Sequence, residues 1–172
     1  MFNDFGTFYA YLTVAWQNVP QEKAAGYYKW YQKALSQKQI VLGREKDLET
    51  VKKEYGLAEE GGQMLIGVEN WDILVNDSWI LGGIHAQLPF LLKTVLTFDS
   101  VYNVEQKNNL DQTRVMYVTT REIAGLNLFG YKKDKEDAEG QHFLCTDKNA
   151  ASDANFESYR MHTQAVGAAA LS

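Results

Sequence analysis

One cysteine, two prolines and three histidines are all that this 172-residue chain carries of the residue types that most often announce a disulfide scaffold, a rigid linker or a metal site. Cys145 by itself can close no internal disulfide and completes no Cys-x-x-Cys motif, so the core has to form without covalent staples. A globular chain of this length buries roughly 70% of the surface its unfolded form exposes, so it needs none. His85, His142 and His162 show no ligand spacing among themselves, and neither a metal nor a cofactor is expected. Phosphate-loop, His-Glu-x-x-His and Gly-x-Ser-x-Gly signatures are missing. No apolar run reaches the ~18 residues of a membrane span, and the amino-terminal residues carry no basic n-region. The expectation is cytoplasmic residence without a membrane partner; secretion by a signal-independent machine would leave no mark in such a sequence.

Positive charge is also scarce. Lys and Arg number 17 against 22 Asp and Glu, a net charge of −5. Lys132-Lys133-Asp134-Lys135 is the densest basic stretch, and Glu136, Asp137 and Glu139 dilute it at once. It reads as a solvated loop. Without the basic stripe that phosphate neutralisation demands, nucleic acid is not an expected partner.

What is present is apolar and aromatic: 45% hydrophobic and 13% Phe, Trp and Tyr. Phe5, Phe8, Tyr9, Leu12, Ala15 and Trp16 recur at gaps of three and four, which predicts a helix over 4–18 capped by Asn3 or Asp4. Pro20 suits the first turn of a second helix, whose face is Ala24, Tyr28, Tyr31 and Leu35. Residues 44–55 read as a charged surface helix ending at Gly56. Beyond Gly61-Gly62 the pattern shifts. Gln63–Val68, Trp71–Val75 and Ser78–Leu81 read as short strands, the second equally as a helical turn, with Asn76-Asp77 and Gly82-Gly83 as breaks. Pro89 argues against a central strand near it. Arg114–Thr119 is the strongest strand pattern, and Thr119 with Glu122 forms a capping box for a helix over Ile123–Phe129 that Gly130 ends. His142–Thr146 reads as a strand and Asp153–Val166 as a terminal helix. The whole is a single α+β domain over 1–172. A helical part (1–56), comprising a helical hairpin and a surface helix, packs on a small, mainly antiparallel or mixed sheet drawn from 63–146. Residues 167–172 form a frayed tail.

Two breaks in the apolar segment offer chemistry. At Asn76–His85, His85 could serve as a general base oriented by Asp77 or Asp72; the plainer reading is a turn, a glycine bend and a histidine bonded to a backbone carbonyl. At Thr119–Glu122, Arg121 could hold an anion and Glu122 could act as acid or base; the capping box alone also accounts for Glu122. Asn76-Asp77-Ser78 fits the glycosylation triplet. Cys145 and His142, offset by three in a strand, point to opposite faces and make a poor dyad. Tyr27, Trp30 and Tyr31, with Trp79, belong to an aromatic set dense enough for an interface as well as a core.

Three functions stay open on these residues. The first is a binding or accessory protein acting through a protein interface or self-association. The second is a small hydrolase or transferase of toxin-effector type using Asp77, His85, Arg121 and Glu122. The third is a small-ligand carrier.

Overall fold

Asp4 starts the first helix by local means alone. Its carboxylate accepts the Thr7 N–H at 2.7 Å and the Thr7 hydroxyl at 3.0 Å, satisfying an amide that has no partner within the helix. The same amide bond holds the Asp4 carboxyl below its ordinary range. In the computed structural model, which describes residues 2–15, 19–43, 73–93, 118–152 and 155, this cap opens α1 (Phe5–Ala15). Pro20 is the N-cap of α2 (Gln21–Leu35), in extended conformation. The Tyr9 hydroxyl donates to the Val19 carbonyl at 3.0 Å and ties the connection down. The aromatic helical hairpin read from the spacing is therefore present. Its seam is a cluster of rings in which Phe8 meets Tyr28 at 5.2 Å and Tyr31 at 5.6 Å.

The chain continues through β1 (Ile40–Leu42), α3 (Ile73–His85), β2 (Phe90–Leu92), α4 (Val118–Leu128), β3 (Tyr131–Asp137) and β4 (Gly140–Cys145). The strands form one mixed sheet in the order β1-β2-β4-β3. β1 and β2 run parallel with Ile40 opposite Phe90, and the other two pairings are antiparallel. The class is α+β. One strand, Ile40–Leu42, comes from upstream of the 63–146 span expected to supply the sheet. Its three residues are all buried, so they show no alternation by which a half-buried strand is recognised. The surface helix expected at 44–55, the strand expected at 63–68 and, Asn155 apart, the terminal helix expected at 153–166 lie outside the described residues.

The main correction concerns residues 73–85. The segment read as two strands, the first equally as a helical turn, with an Asn76-Asp77 turn and a Gly82-Gly83 bend, is from Ile73 onward one unbroken helix, α3. From Leu74 to His85 every residue is buried. A helix enclosed on all sides has no wet face, and so no 3.6-residue period. The glycines serve close approach rather than bending. A Cβ on Gly82 would overlap the Tyr31 carbonyl oxygen and stand 2.6 Å from the Ala34 Cβ of α2. A Cβ on Gly83 would stand 2.5 Å from Ile40 Cγ1 and 2.8 Å from Phe90 Cζ. One glycine seats α3 on α2, and its neighbour seats α3 on β1 and β2.

The helix ends in a Schellman arrangement. Gln87 N–H reaches the Ile84 carbonyl and Leu88 N–H the Gly83 carbonyl, both at 3.0 Å. Gln87 has φ 53°, the left-handed position where glycine is usual. Left-handed backbone costs a non-glycine residue about 1–2 kcal/mol, and glycine recovers this less its larger entropy loss. Gln87→Gly is expected to raise the unfolding free energy by about 0.5–1 kcal/mol in urea denaturation; an unchanged or lower midpoint would contradict the strain.

Pro89 precedes β2, a central strand, against expectation. The missing amide does no harm because Pro89 contributes its carbonyl, which accepts Ile40 N–H at 2.9 Å. Val118 and Thr119, read as the end of a strand, are helical and lie inside α4; residues 114–117 are outside the described set. Gly130 ends that helix as anticipated, with φ 80°, and its carbonyl accepts both the amide and the hydroxyl of Thr146 at 2.8 and 2.9 Å. Lys132–Lys135 belongs to edge strand β3 rather than to a loop, and it is exposed. Its charges suit an edge that must not pair with other chains. No helix among the described residues is long and apolar enough to cross a membrane.

Candidate functional site

α3 carries a line of polar residues into the core, and they are the residues singled out for chemistry. Asp77 is 3% exposed, Glu122 of α4 is 5% and His85 is 7%. His85 closes α3, with its ring edge-on to Phe2 at 5.2 Å and to Tyr31 at 5.4 Å. The Tyr31 hydroxyl is hydrogen-bonded to His85 Nδ1. Burial pushes the His85 pKa down to about 4 and the Tyr31 pKa up to about 12. Both are neutral at ordinary pH. The histidine thus meets a tyrosine side chain.

The structure does not bring His85 to Asp77. The two lie eight positions apart on one straight element, about 12 Å along the axis. A general base needs its orienting carboxylate within hydrogen-bond reach. Glu122 is instead brought to Asn76, whose Nδ2 donates to Glu122 Oε1 at 3.0 Å, so α3 and α4 are joined by a buried side-chain bond. Thr119, expected to cap the helix, is itself helical, within α4. Arg121 lies next to Glu122 on α4, and its side chain is outside the described residues. Asn76, in the glycosylation triplet, is buried.

Of the four residues expected at an interface, Tyr27, Tyr31 and Trp79 are in the core. α2 buries Ala24, Tyr27, Tyr31 and Ala34, and a dense aromatic sequence does not reveal which rings fall on that face. Trp30 alone reaches the surface in part. Its ring meets Trp79 edge-on at 5.8 Å, and the Lys33 ammonium stands 4.7 Å above it. Around it lie exposed Lys29 and Gly26. Gly26, Lys29, Trp30 and Lys33 are spaced i, i+3, i+4 and i+7, one helical stripe. The stripe is legible in the sequence as spacing, beside the stronger apolar pattern of the opposite face.

The β3–β4 hairpin holds a second group, which the spacing of the histidines alone does not show. Asp137, Glu139 and His142 place one donor atom each within 4.8 Å of one another. His142 Nε2 is 3.0 Å from Asp137 Oδ1 and 3.9 Å from Glu139 Oε2. The hydrogen bond to His142 holds the Asp137 carboxyl below its usual range. These residues are the ones that could hold a metal among those described. The signal was Asp-x-Glu-x-x-His across a hairpin turn. Cys145, half-buried on the same strand, directs its thiol to the Asp147 carbonyl at 3.6 Å.

No family model matches this chain, and neither a curated protein nor a solved structure matches it.

Proposed function

We propose that this chain is a binding module that docks an acidic protein surface on the outer stripe of α2. The observation that carries the reading is the stripe of Gly26, Lys29, Trp30 and Lys33, in which no packing contact among the described residues calls for the glycine or the paired lysines. A Cβ on Gly26 would have no atom of the described residues within 4 Å, yet a mid-helix glycine costs about 1 kcal/mol against alanine. Lys29 and Lys33, a like-charge pair at i,i+4, cost a further ~0.2–0.5 kcal/mol in an isolated helix. A partner that approaches closely at Gly26, covers Trp30 and supplies carboxylates to the lysines would offset both. Trp is enriched at the energetic centres of interfaces, and a cationic stripe on a chain of net charge −5 selects for an acidic surface. The burial of Asp77, His85 and Glu122 also favours a surface function over chemistry at those residues.

A photo-crosslinking residue at Lys29 is expected to yield one discrete adduct with an acidic protein in the native cell, and the same residue at Lys132 of β3 to yield none. Gly26→Ala should stabilise the chain by about 0.5–1 kcal/mol while weakening the recovered complex. Lys29→Glu with Lys33→Glu should abolish it. Binding by both variants at wild-type strength would remove the proposal. Light scattering on the eluted complex shows whether the acidic partner is a second copy of this chain.

A further inference from the structure

We infer that the β3–β4 hairpin binds a first-row divalent transition ion of the zinc class through Asp137, Glu139 and His142. The inference rests on this donor set and its scaffold, and is independent of the α2 stripe. One imidazole nitrogen and two carboxylate oxygens suit a borderline ion such as Zn²⁺. Calcium and magnesium favour oxygen donors throughout.

The spacing is close to what such an ion needs. Tetrahedral ligands at about 2.1 Å from zinc lie about 3.4 Å from one another. The His142 nitrogen stands 3.0 Å from Asp137 Oδ1 and 3.9 Å from Glu139 Oε2, distances that bracket that value. A small rotation of the exposed Glu139 carboxylate therefore completes a three-ligand set, leaving a fourth position open to water or to a group brought from outside.

The donors are also held in place by the fold. His142 sits on β4, inside the sheet, paired with Leu91 on one side and Lys135 on the other. Asp137 is the last residue of β3 and pairs with Gly140. Its Oδ1 also accepts the Glu139 N–H at 2.9 Å, which fixes its rotamer. Gly140, at φ 137°, lies so close to the end of β2 that a Cβ there would overlap the Leu92 carbonyl oxygen. The turn that carries Glu139 is thus pressed against the sheet. Lys135, the nearby cation, approaches Asp137 through the other oxygen, Oδ2, at 3.6 Å, and leaves Oδ1 to the site. Two carboxylates held this close repel each other, and a divalent ion relieves that repulsion.

Calorimetric titration of the full chain with Zn²⁺ at neutral pH, in a buffer that does not chelate, tests the inference. One ion per chain is expected. His142→Gln, Asp137→Asn and Glu139→Gln should each weaken binding at least about tenfold, the lower bound for disturbing even an outer partner of a metal ligand. His162→Gln should bind as the wild type does. Co²⁺ should give visible absorption bands that His142→Gln removes. Thermal melts of the ion-free variants, matching the wild type, show that the fold is kept. No saturable binding below about 1 mM, or equal affinity in the His142→Gln and Asp137→Asn variants, overturns it.

Discussion

Gly82→Ala is expected to destabilise the chain by about 3 kcal/mol, a large fraction of the 5–15 kcal/mol that typically separates folded from unfolded domains. Helix propensity alone predicts the opposite sign, a gain of about 1 kcal/mol. Packing decides the matter. The new methyl would meet the Tyr31 carbonyl oxygen, a backbone atom of α2, with the Ala34 Cβ beside it at 2.6 Å. Neither can rotate away, so α2 and α3 would have to separate along a buried contact. Gly83→Ala should cost less, because its methyl meets Ile40 Cγ1 and the Phe90 ring, side chains able to shift in part. Gly26→Ala, with open space around it, should stabilise. Urea denaturation of the three variants therefore has a set order, with Gly82→Ala lowest and Gly26→Ala above wild type. A neutral or stabilising Gly82→Ala would mean that α3 does not sit on α2 as described.

Acid is expected to act on the fold through His85. Burial lowers its folded pKa to about 4, against 6.5 for the free side chain. Between those values the unfolded chain binds a proton that the folded chain refuses. The linkage slope is then positive, so stability falls as pH falls from 6.5 to 4 and levels once the folded state also protonates. At 1.36 kcal/mol per unit, the loss over that window is at most roughly 3 kcal/mol. Well above pH 6.5 both states are neutral there and His85 contributes no slope. The lowered carboxyls of Asp4 and Asp137 act further down, as pH falls through the carboxylate range, so they leave most of this window to histidine. His85→Asn keeps an acceptor for the Tyr31 hydroxyl and removes the titrating group. Its stability should be flatter than wild type between pH 6.5 and 4 in chemical denaturation at fixed ionic strength. Parallel curves for the two proteins would rule out His85 as the source.

These two predictions bear on different parts of the sequence. Much of the fold was legible where an element keeps a wet face or a local stop. α1 announces itself by Phe5, Phe8, Tyr9 and Leu12 and by the Asp4 cap, and α2 by Ala24, Tyr31 and the proline before it. Gly130 marks the end of α4 because only a left-handed residue can turn the chain there. Strand β4 was legible around His142–Cys145. The candidate sites were less so. The stripe of Gly26, Lys29, Trp30 and Lys33 was present as spacing, but its meaning depends on empty space around Gly26, which is not a property of the sequence. The Asp137, Glu139 and His142 group depends on which residues a hairpin turn sets side by side.

The sequence by itself determined the α+β class and the aromatic helical hairpin, since caps, helix stops and amphipathic period are local and survive in one dimension. Only the tertiary structure decided that Ile73–His85 is a helix and that its Asn76 and His85 reach Glu122 and Tyr31 on neighbouring elements. The physical reason is enclosure. A segment sealed between α2, β1, β2 and α4 has no solvent face to impose a period. Its glycines and its histidine take their roles from atoms far away in sequence, such as the Tyr31 carbonyl at Gly82 and the Tyr31 hydroxyl at His85.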